Sequence, residues 1–262
     1  MDYVQAVIIG ILQGIVQWLP INSSGHVMNT VITMLGMSPA EAYSYLILFH
    51  MGALLALFYR FRYDLGKILM NLMTFRWGEE ESFLFYSTLF TFVVGLPLYK
   101  GIKGYINPEI INGLIGIILV FTGLMMRAPL ENVGKSIRQS KEEVTVADAL
   151  IAGLAQGISI IPGISRSGMT VGALLFLGVD QKKAVRMSFL MGIFAITGLL
   201  FLHRESVALP LTVSLTAVLS AFIISLLMLE VLTKLAEKLD FSKFCIVFGF
   251  IAVIMAVLGV LL

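Results

Sequence analysis

Two short polar stretches interrupt a largely apolar sequence, and their residues could do chemistry on an anion. In the first, Gln13 and Gln17 are four residues apart, so a helix would place both amides on one face. Residues 20–26 (PINSSGH) follow, and their proline, serines and glycine end one helix and start another. His26 titrates near neutral pH and could act as a general base or a nucleophile at phosphorus. The alternative is that His26 is a hydrogen-bonded core residue and that the amides only join helices.

The second stretch, residues 162–170 (PGISRSGMT), repeats this arrangement and adds a guanidinium. A helix that begins in such a loop offers free backbone N–H groups and the positive end of its dipole, which favour phosphate. Arg166 is costly inside a membrane unless it is paired, and no Asp or Glu lies near either loop in the sequence. A phosphate would pair with Arg166 in a bidentate geometry, whereas backbone carbonyls and the two Gln amides are the structural alternative.

The composition is that of a chain in a lipid bilayer. Hydrophobic residues make up 58% of the 262 residues and charged residues 13%, and the mean hydropathy is +0.96. So few charges cannot cover the surface of a soluble protein of this size. The net charge of +2 argues against a nucleic-acid partner. The single cysteine, Cys245, forms no internal disulfide.

Membrane helices must therefore position the polar stretches. Six apolar segments approach the roughly 20 helical residues that span a bilayer. They are residues 43–60, 83–99, 109–126, 187–203, 209–229 and 244–262. Two further apolar stretches, residues 3–35 and 147–178, are broken near the middle by Pro, Gly and Ser. Neither half of these would span a bilayer, so we expect two re-entrant helix-loop-helix hairpins, with one long kinked helix at each place as the alternative.

The hairpins belong to an internal repeat. Gln13-Gly14-Ile15 recurs as Gln156-Gly157-Ile158 and Met51-Gly52 as Met191-Gly192, so the offset stays near 142 residues. Helix starts repeat too: Ser38-Pro39 precedes the first spanning helix, and Asp180 stands at the matching place before the fourth. Because three spanning helices separate the hairpins, the second copy must be inverted relative to the first. We therefore predict an all-α integral membrane protein with an inverted-topology repeat. Repeat 1 covers residues 1–126, a cytoplasmic loop covers residues 127–146, and repeat 2 covers residues 147–262.

Loop charges orient this fold. One side receives 14 Lys and Arg residues, and the other receives Lys100, Lys103 and Arg204. Under the positive-inside rule the basic side is cytoplasmic, which places both termini outside the cell membrane. Inverted repeats with broken helices hold their site near the midplane, between the repeats. Residues 230–243 are expected to form an interfacial connector.

At the two polar stretches the chain resembles the undecaprenyl-diphosphate phosphatase family, membrane enzymes linked to bacitracin resistance that recycle the carrier lipid of the cell wall. The resemblance covers essentially the whole length. Residues 162–170 match the family pattern P-G-x-S-R-S-x-x-T. The other family pattern is E/Q-x-x-x-E followed by L-P-x-S-S-x-G-H, and here Gln17 replaces the second Glu and Asn22 the first Ser.

The resemblance implies hydrolysis of a polyprenyl diphosphate to the monophosphate and inorganic phosphate, at a site open to the outer face. By matching position, Ser23 or His26 would serve as nucleophile or base, and Arg166 would clamp the diphosphate. The implied substrate-binding residues are Gln13, Gln17, Asn22, Ser24, Ser165, Ser167 and Thr170. A divalent cation, Mg²⁺ or Ca²⁺, is also implied, although amides bind such ions less well than carboxylates do. A homodimer is compatible with the resemblance.

Two other functions fit the same sequence. A protein that binds or translocates polyprenyl phosphate without hydrolysis would share the fold and the anion site, and Gln13 and Gln17 in place of glutamates favour it. A structural membrane subunit would leave Arg166 without a purpose. Release of phosphate from a polyprenyl diphosphate separates hydrolysis from binding.

Overall fold

The described part of the chain is helical. The computed structural model describes residues 2–19, 27, 31–32, 35–102, 117, 120, 124, 141, 143–160, 165–202 and 210–235. Within those ranges the one β-type contact is an isolated parallel bridge between Lys141 and Val179. Four of the described helices are long and apolar enough to cross a membrane. The prediction of an all-α integral membrane protein is confirmed.

Eight helices have both ends among the described residues. They are α1 (Tyr3–Val16), α2 (Pro39–Arg60), α3 (Arg62–Met73), α4 (Glu79–Ile102), α5 (Val146–Ile158), α6 (Arg166–Phe176), α7 (Gln181–Leu202) and α8 (Leu211–Leu235). The four candidate spans lie in α2, α4, α7 and α8 and correspond to four of the predicted spans. The other two, at residues 109–126 and 244–262, lie outside the residues described as continuous helix.

One segment differs from the sequence-based expectation, which placed the basic residues from Arg60 to Arg76 in a loop. Helix α3 forms there directly after α2 and buries Ile68. Residues 230–235 continue α8, and the rest of the expected connector, residues 236–243, lies outside the described residues. Glu230 pairs there with Arg60 at 3.3 Å and with Lys234 at 3.0 Å, so charged residues extend the helix beyond its apolar part.

Local sequence signals set where several helices begin. Three helices begin with a capping box. In each, the side chain of the N-cap residue accepts a hydrogen bond from the backbone N–H three residues later, and the side chain of that later residue accepts one from the backbone N–H of the N-cap residue. The pairs are Asp2 with Gln5, Ser38 with Glu41 and Thr145 with Asp148. At the start of α7, Asp180 Oδ1 accepts from the backbone N–H groups of Lys182 and Lys183. The predicted helix starts at Ser38 and Asp180 are therefore present.

Helix α1 runs parallel to the spanning helix α8. Their contacts advance in the same direction along both helices, from the 3.1 Å hydrogen bond between Tyr3 and Thr212 to the close approach of Gly14 to Ile224. A Cβ at Gly14 would lie 2.8 Å from the Ile224 Cβ, so glycine permits this closeness. With 14 residues α1 is about 20 Å long, so it ends partway along α8.

Helix α5 has the same relation to α4. A Cβ at Gly153 would lie 2.6 Å from the Ser87 carbonyl oxygen, and one at Gly157 would lie 2.8 Å from the Val94 Cβ. With 13 residues α5 also stops short of the roughly 30 Å needed to cross a bilayer. Helix α6 then packs back against α5 and against α7. The second broken stretch is therefore a hairpin and not one kinked helix.

Helices α1 and α5 start at opposite ends of the molecule. Helix α1 starts at the end of α8 that carries Thr212, whereas Glu230 and Arg60 meet at the other end. That second end also carries the ion pairs of Arg186 with Asp64 and Glu80, which join α7, α3 and α4. Helix α5 starts beside the first turn of α4, so it begins at this charged end.

Candidate functional site

The residues that follow α1 meet the start of α6 through the carbonyl group of Leu19. Leu19 O accepts hydrogen bonds from Ser167 Oγ at 3.0 Å and from Ser165 Oγ at 3.4 Å. Ser165 also caps α6, because its Oγ accepts from the Gly168 backbone N–H at 3.1 Å. Both serines are buried. Residues more than 140 positions apart are thus held together, and we call this contact of Leu19 with Ser165 and Ser167 the junction.

Arg166 begins α6 at this junction and is only partly satisfied. Its Nη1 donates to the Ser188 carbonyl oxygen of α7 at 3.2 Å. Its Nη2 is buried and has no hydrogen-bond partner among the described residues. No described carboxylate lies within ion-pair distance of it. Because an unpaired buried guanidinium N–H is unfavourable, this group is suited to receive an anion.

Helix α7 supplies the surface on which the guanidinium lies. Gly192 stands one turn after Ser188, and a Cβ at Gly192 would clash with Arg166 Nη1 and lie 2.8 Å from its Cζ. Thr170, one turn after Arg166, shares a 2.5 Å hydrogen bond with Ser188 Oγ. Its hydroxyl also lies 3.0 Å from the Arg166 carbonyl oxygen. Thr170 is fully buried, so in this arrangement it fixes α6 on α7.

The two glutamines of α1 pair with each other. Gln13 Nε2 donates to Gln17 Oε1 at 2.6 Å, as their four-residue spacing predicted. Gln13 is fully buried, and its Oε1 finds no donor within the described parts of the chain. The matching residue of the second hairpin, Gln156, donates instead to Thr91 Oγ1 of α4 at 3.2 Å. The amides therefore do not supply the structural partners of Arg166 that one alternative requires.

The donors described at the junction suit an anion better than a divalent cation. They comprise a guanidinium, hydroxyl groups and paired amides, with Gln13 Oε1 as an oxygen that lacks a donor. Hard cations take several oxygen ligands, with carboxylates prominent among them. Among the described residues no group of three His, Cys, Asp or Glu side chains could hold a metal ion. These residues do not by themselves fit Mg²⁺ or Ca²⁺.

Part of the first motif lies outside the described residues. This applies to Asn22, Ser23, Ser24 and His26. Val27, which directly follows His26, is helical and buried against residues of α1, α2 and α8. On the other side of these residues, Leu19 is partly buried and packs against the core.

The structure adds residues that the motifs did not single out. Ser188 and Gly192 hold the guanidinium, and Trp18 is buried beside the junction with its ring 5.5 Å from that of Phe189. Their sequence signals were weak: Met191-Gly192 figured only as a landmark of the repeat. Trp18 adjoins Gln17 but has an ordinary apolar setting, which gave no reason to assign it a role.

Comparison with known proteins covers nearly the whole chain. The sequence model of the family described as bacitracin resistance protein BacA matches residues 6–254. A Methanopyrus kandleri protein named undecaprenyl-diphosphatase is 38% identical over 258 residues, which cover 95% of this chain and 94% of that protein. A Methanothrix thermoacetophila protein of the same name is 37% identical over 265 residues, 98% of each chain. One from Christiangramia forsetii is 30% identical over 268 residues, 98% of this chain and 99% of the other.

Proposed function

Since the chain belongs to the bacitracin resistance protein family, we propose that it hydrolyses a polyprenyl diphosphate of the undecaprenyl type to the monophosphate and inorganic phosphate. The relatives named undecaprenyl-diphosphatase align with it from end to end, at identities between 30% and 38%. The proposed substrate is a membrane lipid, and the protein is a multi-pass membrane protein. The proposed substrate and the protein are thus in the same membrane.

The observation that carries the proposal is the state of Arg166. A buried guanidinium whose Nη2 has no hydrogen-bond partner, with no described carboxylate beside it, favours an anionic partner. It lies where two hairpins meet, beside the hydroxyl groups of Ser165 and Ser167. A diphosphate would bring both the negative charge and the acceptor oxygens.

We assign the chemical step to the first hairpin. In this proposal Ser23 or water attacks the terminal phosphorus, and His26 accepts the proton that the nucleophile loses. A new P–O bond forms while the anhydride P–O bond breaks, and the polyprenyl monophosphate leaves. Arg166 offsets the charge that develops on the phosphoryl oxygens, and Gln13, Gln17, Asn22, Ser24, Ser165 and Ser167 hold the substrate. Thr170, implied as a binding residue by the resemblance, instead fixes α6 on α7 through Ser188. If Ser23 attacks, water releases phosphate from it in a second step.

The test is phosphate release by the purified, membrane-reconstituted protein given undecaprenyl diphosphate. The proposal expects stoichiometric inorganic phosphate and undecaprenyl monophosphate. Undecaprenyl monophosphate serves as the control, because it lacks the anhydride bond. Tight binding of the diphosphate without phosphate release would reject hydrolysis and favour a carrier-lipid binding protein or translocase.

The proposal also covers location and assembly. We place the protein in the cell membrane with both termini outside, because its basic loop residues gather on one side. A requirement for Mg²⁺ or Ca²⁺ and a homodimer both remain predictions. Phosphate release with and without a chelator tests the first, and the mass of the protein in detergent micelles tests the second.

A further inference from the structure

Trp18 is a buried tryptophan whose indole N–H has no acceptor among the described residues. Its side chain is 2% exposed, and Nε1 makes no hydrogen bond there. Buried indole N–H groups usually find a partner, because leaving such a donor unsatisfied is unfavourable. Packing against Phe189 accounts for the ring of Trp18 but not for its polar edge.

The position of Trp18 places this donor at the junction of the hairpins. It directly precedes Leu19, whose carbonyl oxygen receives the hydroxyl groups of the second hairpin. Its ring stands edge-on to Phe189, with ring centroids 5.5 Å apart and an interplanar angle of 82°. Phe189 directly follows Ser188, whose carbonyl oxygen holds Arg166. The indole therefore contacts the same turn of α7 that positions the guanidinium.

Two buried donors at this junction lack acceptors in the described structure: Trp18 Nε1 and Arg166 Nη2. One unsatisfied donor could reflect imperfect packing, but two within one contact region indicate a ligand that brings at least two acceptor oxygens. A diphosphate carries several such oxygens on adjacent phosphorus atoms. Neither Trp nor Arg can accept a hydrogen bond, so both are matched to an anion.

We propose that Trp18 is a substrate-binding residue whose indole N–H donates to an oxygen of the diphosphate group that Arg166 binds. This inference rests on the proposed function, because it takes the substrate class from it. Trp18 would fix the orientation of the diphosphate, since a directional N–H adds a second fixed point to the guanidinium. The aromatic ring on Phe189 holds that N–H in place before the substrate arrives.

The test removes the N–H and leaves the ring. Trp77 is the other tryptophan of the two in the sequence, is largely exposed and packs edge-on against Phe85. Trp77→Phe therefore serves as the matched control and leaves Trp18 as the sole indole. In that background the protein is produced in a tryptophan auxotroph fed benzothienylalanine, which is incorporated at position 18. In this analogue a sulfur atom replaces the indole N–H and the shape of the ring is nearly unchanged. Trp18→Phe is the second variant, which also keeps an aromatic ring.

The measurement is the dissociation constant of each reconstituted protein for a polyprenyl methylenediphosphonate, which cannot be hydrolysed. The proposal expects about tenfold weaker binding for the sulfur analogue and for Trp18→Phe, because each loses one hydrogen bond to a charged group. The affinity of Trp77→Phe should not change. Equal affinity in the Trp77→Phe protein with and without the analogue would overturn it and assign Trp18 to packing. If the unaltered protein itself neither binds this probe nor releases phosphate, the proposed function fails, and the inference fails with it.

Discussion

At the scale of single residues, the candidate site is defined by donors that the described chain does not satisfy. Arg166 gives one N–H to Ser188 and keeps another free, while Gln13 and Gln17 pair with each other. The site is thus cationic without a described carboxylate, which favours a phosphate over a metal ion as the primary ligand. A guanidinium fork, rather than positive charge alone, is what this arrangement offers.

Replacing Arg166 by lysine tests the importance of the fork. Arg166→Lys keeps the charge but cannot form two parallel hydrogen bonds, so we expect the dissociation constant for a polyprenyl methylenediphosphonate to rise about ten- to a hundredfold. Arg76→Lys, on an exposed residue between α3 and α4, is the matched control and should bind as before. Unchanged affinity in folded, membrane-inserted Arg166→Lys protein would give Arg166 a structural role.

A second residue-scale prediction concerns the position where the family has Glu. Gln17→Glu keeps the acceptor for Gln13 Nε2 and adds a carboxylate that could bind a divalent cation or accept a proton. General acid–base catalysis contributes roughly 10²- to 10⁴-fold, so we expect faster phosphate release that depends on added Mg²⁺ or Ca²⁺. Rates are measured with and without chelator, alone and combined with Gln13→Glu. Equal rates and equal lipid affinities would mean that Gln17 does not act at the site.

At the scale of elements, the short helices α1 and α5 depend on close packing against spanning helices. Each is too short to cross a bilayer, so each ends partway along the spanning helix that it contacts. Pairs of glycines make this contact possible: Gly10 and Gly14 against α8, and Gly153 and Gly157 against α4. The depth at which each short helix ends is therefore set by how far it runs along its partner.

Gly153→Ala should separate α5 from α4. The added Cβ would lie 2.6 Å from the Ser87 carbonyl oxygen, and backbone atoms cannot move aside as a side chain can. We expect a loss of about 1–3 kcal/mol, seen as a lower apparent melting temperature in detergent. Gly66→Ala in α3 is the control, because no atom lies within 4 Å of its added Cβ. It should stabilise by about 0.5–1 kcal/mol, and equal melting temperatures for both variants would contradict the close contact.

At the scale of the whole molecule, charge is concentrated at one end. Helices α2, α3, α4, α7 and α8 bring acidic and basic residues together there, and Arg186 alone pairs with Asp64 and Glu80. Lys183 adds pairs to Glu79 and Glu80. At the opposite end α1 starts beside α8, and a hydrogen bond from Tyr3 to Thr212 connects the two helices. The starts of α1 and α5 at opposite ends agree with an inverted arrangement, while the repeat boundaries remain a prediction.

Cysteine labelling tests which end faces the cytoplasm. The basic loop residues divide 14 to 3 between the two sides, and the positive-inside rule makes the richer side cytoplasmic. In protein with Cys245→Ser, a cysteine at Gly101 should react with an impermeant thiol reagent in whole cells. A cysteine at Ser140 should react only after the cells are opened. The reverse pattern would reject the proposed orientation.

The sequence by itself determined the features that depend on local pattern. Apolar length predicted the four described spans, and the break by Pro, Gly and Ser near residue 162 predicted the second hairpin. The turn of the first hairpin lies outside the described residues. Capping residues predicted the helix starts at Ser38 and Asp180. The four-residue spacing of Gln13 and Gln17 predicted that their side chains share a helix face, where they form a hydrogen bond. The short helix α3 was missed because its apolar content is too low to stand out beside the spans.

Only the tertiary structure decided which polar groups meet and which stay unsatisfied. The Leu19 carbonyl oxygen accepts hydrogen bonds from Ser165 and Ser167, more than 140 residues away in the sequence. The Ser188 carbonyl oxygen, on another helix, accepts one from Arg166. The free N–H of Trp18 depends on the same packing. A backbone carbonyl or an indole N–H looks the same in any sequence, and its partner is set by how distant helices pack against one another. Local periodicity carries no information about that packing, because it repeats within a helix and not between helices.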